Sequence, residues 1–494
     1  MSAPVGGGNT DHRDDNGLVL VLAFGGIVVS LSQTLVIPLL ALLPSILNTS
    51  AVNASWVVTV TLLAGAVAGP VMGRLGDLYP KKYVLIGCTA VMVIGSVLCA
   101  LSSSLWPMLI GRALQGLGIG VIPIGIAAMR EILPPQRLGP AISLMSSSLG
   151  VGGALGLPAA AALAQYGSWQ WMFWGSAAMG LGVMVLMAAR LRALPAAKPD
   201  GTLDLIGALG LAVGLVSLLL AVSKGADWGW ASPLTLGLLA LAVVAFPVWA
   251  MWVLRHRSPI VDLRVAARRP VLMTNIASVT VGMGLYAQLL ILPQVLQLPI
   301  ATGHGLGQSM VAMGLWSAPA GLAMMAVSPI SGRLINTRGP KTTLILGALV
   351  ISAGYFAGLF LMGSTWGVMA TGIVISAGVG LAYGAMPALI MASVPRTEMG
   401  SANSVNTLMR SIGTTTSAAV LGVILTQMST EFEGLFVPSE LGLRTGLVFG
   451  GAMAVLAAAV AAAIPPPWKS DDDEVHTNDR DRKSGSAGMP RPIS

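Results

Sequence analysis

Two arginines, Arg112 and Arg410, sit inside long apolar stretches of this 494-residue chain. A guanidinium stays protonated and offers five N–H donors, so in an apolar interior it either holds an anion or fastens backbone carbonyls. Arg410 has polar company: Asn403, Asn406, Thr407, Thr414 and Ser417 flank it at helical spacings. At about 100° per residue, all fall on one face of a helix. A polar stripe at that depth lines water or a solute more often than it packs. Asn275, Tyr286 and Gln288 form a weaker set of the same kind.

The counterpart acids are elsewhere. All 19 Asp and Glu residues, and all four histidines, are expected in tails, loops or helix ends. A proton relay across a membrane normally runs through Asp, Glu or His, and none is expected at mid-depth. Two readings follow. A proton is carried at the membrane edge by Asp77 or Glu131, or the solute itself brings negative charge to Arg112 and Arg410. The second is favoured. No Ser/His/Asp set, metal-ligand cluster or phosphate-cradling glycine loop is present, so neither an enzyme nor a cofactor is expected.

The elements that must position these groups are membrane helices. The chain is 55% hydrophobic and 9% charged, whereas soluble domains carry roughly 25% charge. A span needs about 20 apolar residues. Fourteen spans are placed at 18–47, 54–73, 83–101, 106–128, 141–164, 171–189, 204–222, 232–254, 270–296, 308–331, 342–362, 366–393, 402–427 and 445–464. Lys and Arg total 27; Arg112 and Arg410 lie within spans, Lys224 and Arg444 on one side, and the rest on the other. That asymmetry puts both termini in the cytoplasm. The net charge of +8 is this bias and implies no nucleic-acid partner. The basic loop from Arg255 to Arg269 is expected against anionic lipid headgroups. No cleavable signal is expected, Cys88 and Cys99 are too far apart along one helix to bridge, and the tail from residue 465 reads as disordered.

A repeat recurs at an offset of 259 residues: Gly73-Arg74-Leu75-Gly76-Asp77 through Lys82, and Gly332-Arg333-Leu334-Ile335-Asn336 through Lys341. Each follows the second helix of a six-helix bundle if spans 7 and 8 are an insertion. The expected organisation is therefore a tail at 1–17, a bundle at 18–190, an inserted pair with linkers at 191–269, a second bundle at 270–464 and a tail at 465–494. Repeated halves around a central site are an alternating-access architecture.

Gly73, Asp77, Lys81 and Lys82 resemble the cytoplasmic loop signature of the major facilitator superfamily, with Pro80 in place of the usual Gly. Gly111-Arg112-Ala113-Leu114-Gln115-Gly116 is similar to that family's fourth-span motif. Gly152-Gly153-Ala154-Leu155-Gly156-Leu157-Pro158 resembles its fifth-span antiporter motif, with one extra residue before the proline. Trp169 to Trp174 and Gly400 to Asn406 resemble features of the fourteen-span drug:proton antiporters. The resemblance implies an all-α membrane protein with the major facilitator fold, in the plasma membrane, exporting small amphipathic compounds against protons. The span-1 acid usual in those antiporters is missing; Ser32 or Gln33 stands there.

Gly73, Arg74, Asp77, Lys81, Lys82 and Glu131 are the expected conformational latch, with Asp77 on helix-terminal amides or an arginine and the lysines on lipid headgroups. Counted from Gly332, Asn336 matches Asp77, so only the first copy can be charged. Gly152, Gly156 and Pro158 mark a gating helix. Ser32, Gln33, Arg112, Gln115, Asn275, Tyr286, Gln288, Asn403, Asn406 and Arg410 are the candidate substrate or coupling residues. Alternatives are an importer on the same fold or a non-transporting membrane sensor. Substrate, stoichiometry and oligomeric state stay open.

Overall fold

Fourteen helices of the computed structural model are long and apolar enough to cross a bilayer. The structure describes residues 10–36, 39, 43–49, 51–191, 202–257, 259–395, 398–432 and 435–465. The expected disordered tail from residue 465 lies almost wholly outside them.

The first bundle comprises α1 (Thr10–Thr34), the short α2 (Leu43–Ile46), α3 (Ala51–Leu78), α4 (Lys81–Leu101), α5 (Leu105–Leu117), α6 (Val121–Ile132), α7 (Pro135–Tyr166) and α8 (Gln170–Arg190). Helices α5 and α6 form one span joined by a 3₁₀ turn at Gly118–Gly120. The inserted pair is α9 (Leu205–Trp228) and α10 (Pro233–Arg255), followed by the short α11 (Leu263–Ala266). The second bundle comprises α12 (Arg269–Gln297), α13 (Met310–Ala326), α14 (Ser328–Arg338), α15 (Pro340–Leu361), α16 (Thr365–Ser393), α17 (Met399–Gln427) and α18 (Glu440–Ala462). Between α17 and α18 an antiparallel hairpin pairs β1 (Ser429–Phe432) with β2 (Leu435–Pro438), Ser429 opposite Pro438. Nothing in the apolar pattern announced it.

Helix starts follow local chemistry. Ser232, Ser309, Ser364 and Ser439 cap α10, α13, α16 and α18, each accepting from the amide three residues on. These four starts share one membrane face, because consecutive spans alternate in direction. On the opposite face, which carries the α3–α4, α6–α7, α14–α15 and α16–α17 connections and is called here the basic face, proline opens α7, α12 and α15 within their first turn. Proline there gives up an amide that has no helical partner anyway.

Three placements differ from the sequence reading. The first span ends at Thr34, not residue 47. Helix α3 runs to Leu78 and α14 to Arg338, so both copies of the repeated loop are largely helical. Asp77 is therefore in a buried last turn and not in a solvated connection. A buried carboxylate needs hydrogen-bond partners, and each oxygen of Asp77 meets a backbone amide there.

Without a hydrophobic force between helices in lipid, close backbone approach through small residues holds them together. Helices α15 and α16 meet at Gly347 and Gly378, where an added Cβ on Gly378 would lie 2.6 Å from the Gly347 carbonyl. Gly95 of α4 and Gly111 of α5 make the matching contact in the first bundle. Helix α9 touches both α3 and α17, while α10 packs on α9. The carboxylate of Asp204 fixes that pair, accepting from Gly207 N at 2.8 Å and Trp252 Nε1 at 3.1 Å. The insertion is thus clasped to the seam between the bundles.

Gly378→Leu is expected to lower the thermal unfolding midpoint of the detergent-purified protein, since overpacking costs about 1–3 kcal/mol. Gly182→Leu, where an added Cβ meets nothing within 4 Å, should leave it unchanged.

Candidate functional site

At the basic face the repeat makes parallel use of its two copies. Asp77, at the end of α3, reaches the first turn of α17: its Oδ1 accepts from Gly400 N at 3.0 Å and its Oδ2 from Ser401 N at 3.0 Å. Asn336, at the end of α14, reaches the first turn of α7, its Nδ2 donating to the Gln136 carbonyl at 2.8 Å. Each residue therefore crosses from its own bundle to the fifth span of the other. The polarity is reversed: the acid accepts from free helix-terminal amides, which also carry the positive end of the helix dipole, and the amide donates to a carbonyl.

Glycine permits both approaches. A Cβ on Gly400 would meet Asp77 Oδ1 and the Gly73 carbonyl, and one on Gly139 would meet Asn336 Oδ1 and the Gly332 carbonyl, all within 3.0 Å. Gly400 opens a motif read from the sequence, whereas Gly139 was not singled out there. The signal was there: Pro134 to Gly139 and Pro395 to Gly400 have identical spacing. Two further ties cross the seam, Arg130 Nη1 to the Met391 carbonyl and Ser143 Oγ to Ser331 Oγ at 3.1 Å.

The basic residues of the motif act inside the first bundle. Lys82 Nζ donates to the Ala188 carbonyl at the end of α8, at 2.8 Å, and its repeat partner Lys341 does the same to Ile464 after α18, at 2.6 Å. Each caps the exposed carbonyls of its bundle's last helix. Lys81 is buried on Glu131 of α6, and Arg74 is buried too. The expectation that these lysines rest on lipid headgroups gives way to these protein partners.

Arg112 lies in α5 and is 1% exposed. Its Nη1 donates to the Ser32 carbonyl at 2.7 Å and to Gln115 Oε1 at 2.6 Å, and its Nε to the Val57 carbonyl at 3.1 Å. Gln115 Nε2 continues to Ser96 Oγ at 2.8 Å. One guanidinium so ties α1, α3, α4 and α5 together. Ser32, Arg112 and Gln115 are brought together by the fold; Gln33 is half-buried beside them in sequence and outside the network.

Arg410 has a different environment. Its Nη2 donates to Thr407 Oγ1 at 3.0 Å, and the guanidinium lies 4.6 Å from the centre of the Tyr383 ring, a cation–π contact. Among the described residues, its Nη1 is buried without a partner, as are both amide atoms of Asn403 and Oδ1 of Asn406. Asn406 Nδ2 is used, donating to Asn275 Oδ1 at 3.1 Å and Ser278 Oγ at 2.7 Å. Asn275 and Asn406 are thus joined directly, and Asn403 and Arg410 share the face of α17 that carries Asn406. Gln288 lies apart, bonding Ser376 Oγ at 2.9 Å within the second bundle, and Tyr286 packs on the same core.

Helix α7 runs unbroken through Pro140 and Pro158. Gly152 and Gly156 face α1, where an added Cβ would strike Ser30 and Thr34, whereas Gly150 and Pro158 face α13 at Met324 and Gly314. One helix therefore carries an intrabundle face and an interbundle face.

The family model of the Major Facilitator Superfamily matches residues 22–418 and 274–484. The chain is 29% identical over 414 residues to the uncharacterized MFS-type transporter Rv1877 of Mycobacterium tuberculosis, covering 83% of this chain and 59% of that protein; it spans about three fifths of that relative's length. It is 27% identical to the multidrug resistance protein B homolog of the same organism, over 80% of this chain and 73% of that one. Among solved structures, the proton:xylose symporter XylE bound to 6-bromo-6-deoxy-D-glucose aligns with TM-score 0.64 at 14% identity, covering 92% of this chain and 97% of that one. At that identity the likeness concerns the fold.

Two stability results are expected. Arg112→Gln should destabilise the purified protein by about 3 kcal/mol, because buried carbonyls lose their donor, and Arg410→Gln by much less. Asn336→Asp should weaken the basic-face seam, because a carboxylate would then face the Gln136 carbonyl; faster labelling of a cysteine placed at Ser331 would report it.

Proposed function

The chain belongs to the Major Facilitator Superfamily, and on that premise we propose that it exports small amphipathic compounds, coupled to proton movement, with a substrate anion received at Arg410. As a member of that family it is a multi-pass membrane transporter that binds a small-molecule substrate; export, coupling and charge are the added steps. The carrying observation is that four unpartnered buried polar atoms lie on one stretch of α17, on the flank of the interbundle seam. Unmet polar atoms in an apolar interior are costly unless something transient fills them. Relatives named for multidrug resistance support the outward direction.

The two edge acids are already engaged, Asp77 by two amides and Glu131 by Lys81. That favours a charged substrate over an edge proton carrier. Arg112 commits Nε and Nη1 to carbonyls and Gln115, so we assign the substrate role to Arg410 and the fastening role to Arg112. We place the basic face and both termini in the cytoplasm of a plasma-membrane protein, from the lysine and arginine bias. Asp77 then latches the cytoplasmic side of the two bundles, and α7, packed on both bundles, is the helix that must slide as they rock.

Inside-out vesicles energised with a proton gradient test the reading. Accumulation of an anionic fluorescent amphipath is expected, and loss of it in Arg410→Gln; uptake confined to cationic dyes overturns the assignment. Asp77→Asn should loosen the latch, because the Nδ2 that replaces one carboxylate oxygen is a donor and would face a backbone N–H of Gly400 or Ser401. Charge-assisted bonds contribute about 1.5–3 kcal/mol each, so a cysteine at Ser401 should label at least tenfold faster in that variant.

A further inference from the structure

The neighbours of α17 divide its circumference. Gly400 and Ser404 mark the side against Gly73 of α3; Asn406, Gly413 and Ser417 mark the side against Asn275, Val279 and Met283 of α12. Val405 and Leu408 pack with Leu211 and Leu215 of α9. At about 100° per residue, Asn403 and Arg410 fall between the α3 and α12 sides, away from α9. Helix α17 also touches α6 and α16, and Tyr383 of α16 lies under Arg410. Asn403 and Arg410 are therefore on the flank between the α3 and α12 contacts, with Asn406 at its α12 edge.

Their unpartnered atoms sit close together along the axis. Side chains of a helix lean toward its N-terminus, and the bond from Arg410 Nη2 to Thr407 Oγ1 shows that the guanidinium reaches back a full turn. Its free Nη1 is thereby brought level with Asn406, one turn beyond Asn403.

Their chemistry is mixed. Arg410 Nη1 is a cationic donor. The orientation of Asn406 is set by its bonds to Asn275 and Ser278, which leave its Oδ1 as an acceptor. Asn403 offers one donor and one acceptor, both free. A simple anion would satisfy Arg410 and the Asn403 donor, and would set its lone pairs against the Asn406 oxygen. A cation would satisfy the oxygens and be repelled by Arg410. A neutral apolar solute would satisfy none.

Resting on the reading of α17 as the substrate-bearing helix, we propose that this site receives an amphipathic acid bearing a hydroxyl or N–H donor next to its negative charge, such as an ortho-hydroxy aromatic carboxylate. The ionised oxygen takes Arg410 Nη1 and the Asn403 amide N–H. The adjacent hydroxyl donates to Asn406 Oδ1. Tyr383 and Thr407 hold the guanidinium, so it is oriented before the ligand arrives. All three residues are closed from solvent here, at 2%, 1% and 4% exposure for Asn403, Asn406 and Arg410. The ligand enters when the seam held by Asp77 parts.

Thermal stabilisation of the purified full-length protein by matched probes tests this: salicylate, 2-methoxybenzoate, benzoate and benzylammonium. Salicylate should reach half-maximal stabilisation at a concentration about tenfold below that of 2-methoxybenzoate or benzoate, the worth of one buried hydrogen bond. Asn406→Leu should erase that gap, bringing the three acids to equal potency, and Arg410→Gln should erase the response to all three. Equal potency of the three acids in the unmodified protein overturns the hydroxyl contact and leaves an anion transporter standing. Stabilisation by benzylammonium alone overturns the anionic reading itself. No shift with any probe at millimolar concentration overturns this site as described.

Discussion

A polar atom inside an apolar bundle has no water to turn to, and its partner must come from the chain. That constraint organises this structure. It explains why Arg112 is wrapped by carbonyls from two neighbouring helices, and why Asp77 is buried only where two free amides meet it. It also makes the exceptions informative. Among the described residues, Asn403, Asn406 and Arg410 keep unmet atoms on one helix flank, the observation on which the proposed substrate role rests.

The same constraint turns a repeated sequence into a repeated mechanical joint. The last lysine of each copy caps the final helix of its own bundle, and the fifth residue of each copy crosses to the other bundle. The joint is symmetric in place and asymmetric in charge. An acid on amides is stronger than an amide on a carbonyl, so the α3–α17 seam is the firmer of the two at the basic face. Helix α9 lies along that firmer seam and contacts both partners. The insertion therefore adds apolar cover along the α3–α17 seam, whereas at the α7–α13 seam Gly150 meets the Met324 side chain and Gly314 meets Pro158.

How much was legible from the sequence differs by feature. All fourteen spans were, because about twenty apolar residues admit few alternatives to a crossing helix. The even count and the repeat followed from loop charges and from Gly73 and Gly332. Helix ends were less legible: α3 and α14 continue past the apolar run, because their polar last turns find partners across the seam. The β1–β2 hairpin was invisible, since its short strands are set by pairing and not by pattern.

Among the site residues, the sequence by itself determined that Arg112 and Arg410 are intramembrane charges and that Asn403, Asn406 and Arg410 share a face, because helical spacing is local. Only the tertiary structure decided that the two arginines differ. Whether a guanidinium is satisfied depends on which carbonyls and hydroxyls other helices bring within about 3 Å. Ser32 and Val57 come to Arg112 from α1 and α3, while Arg410 receives a ring and one hydroxyl and keeps its Nη1 unpartnered among the described residues. Spacing along one helix carries no information about that distance.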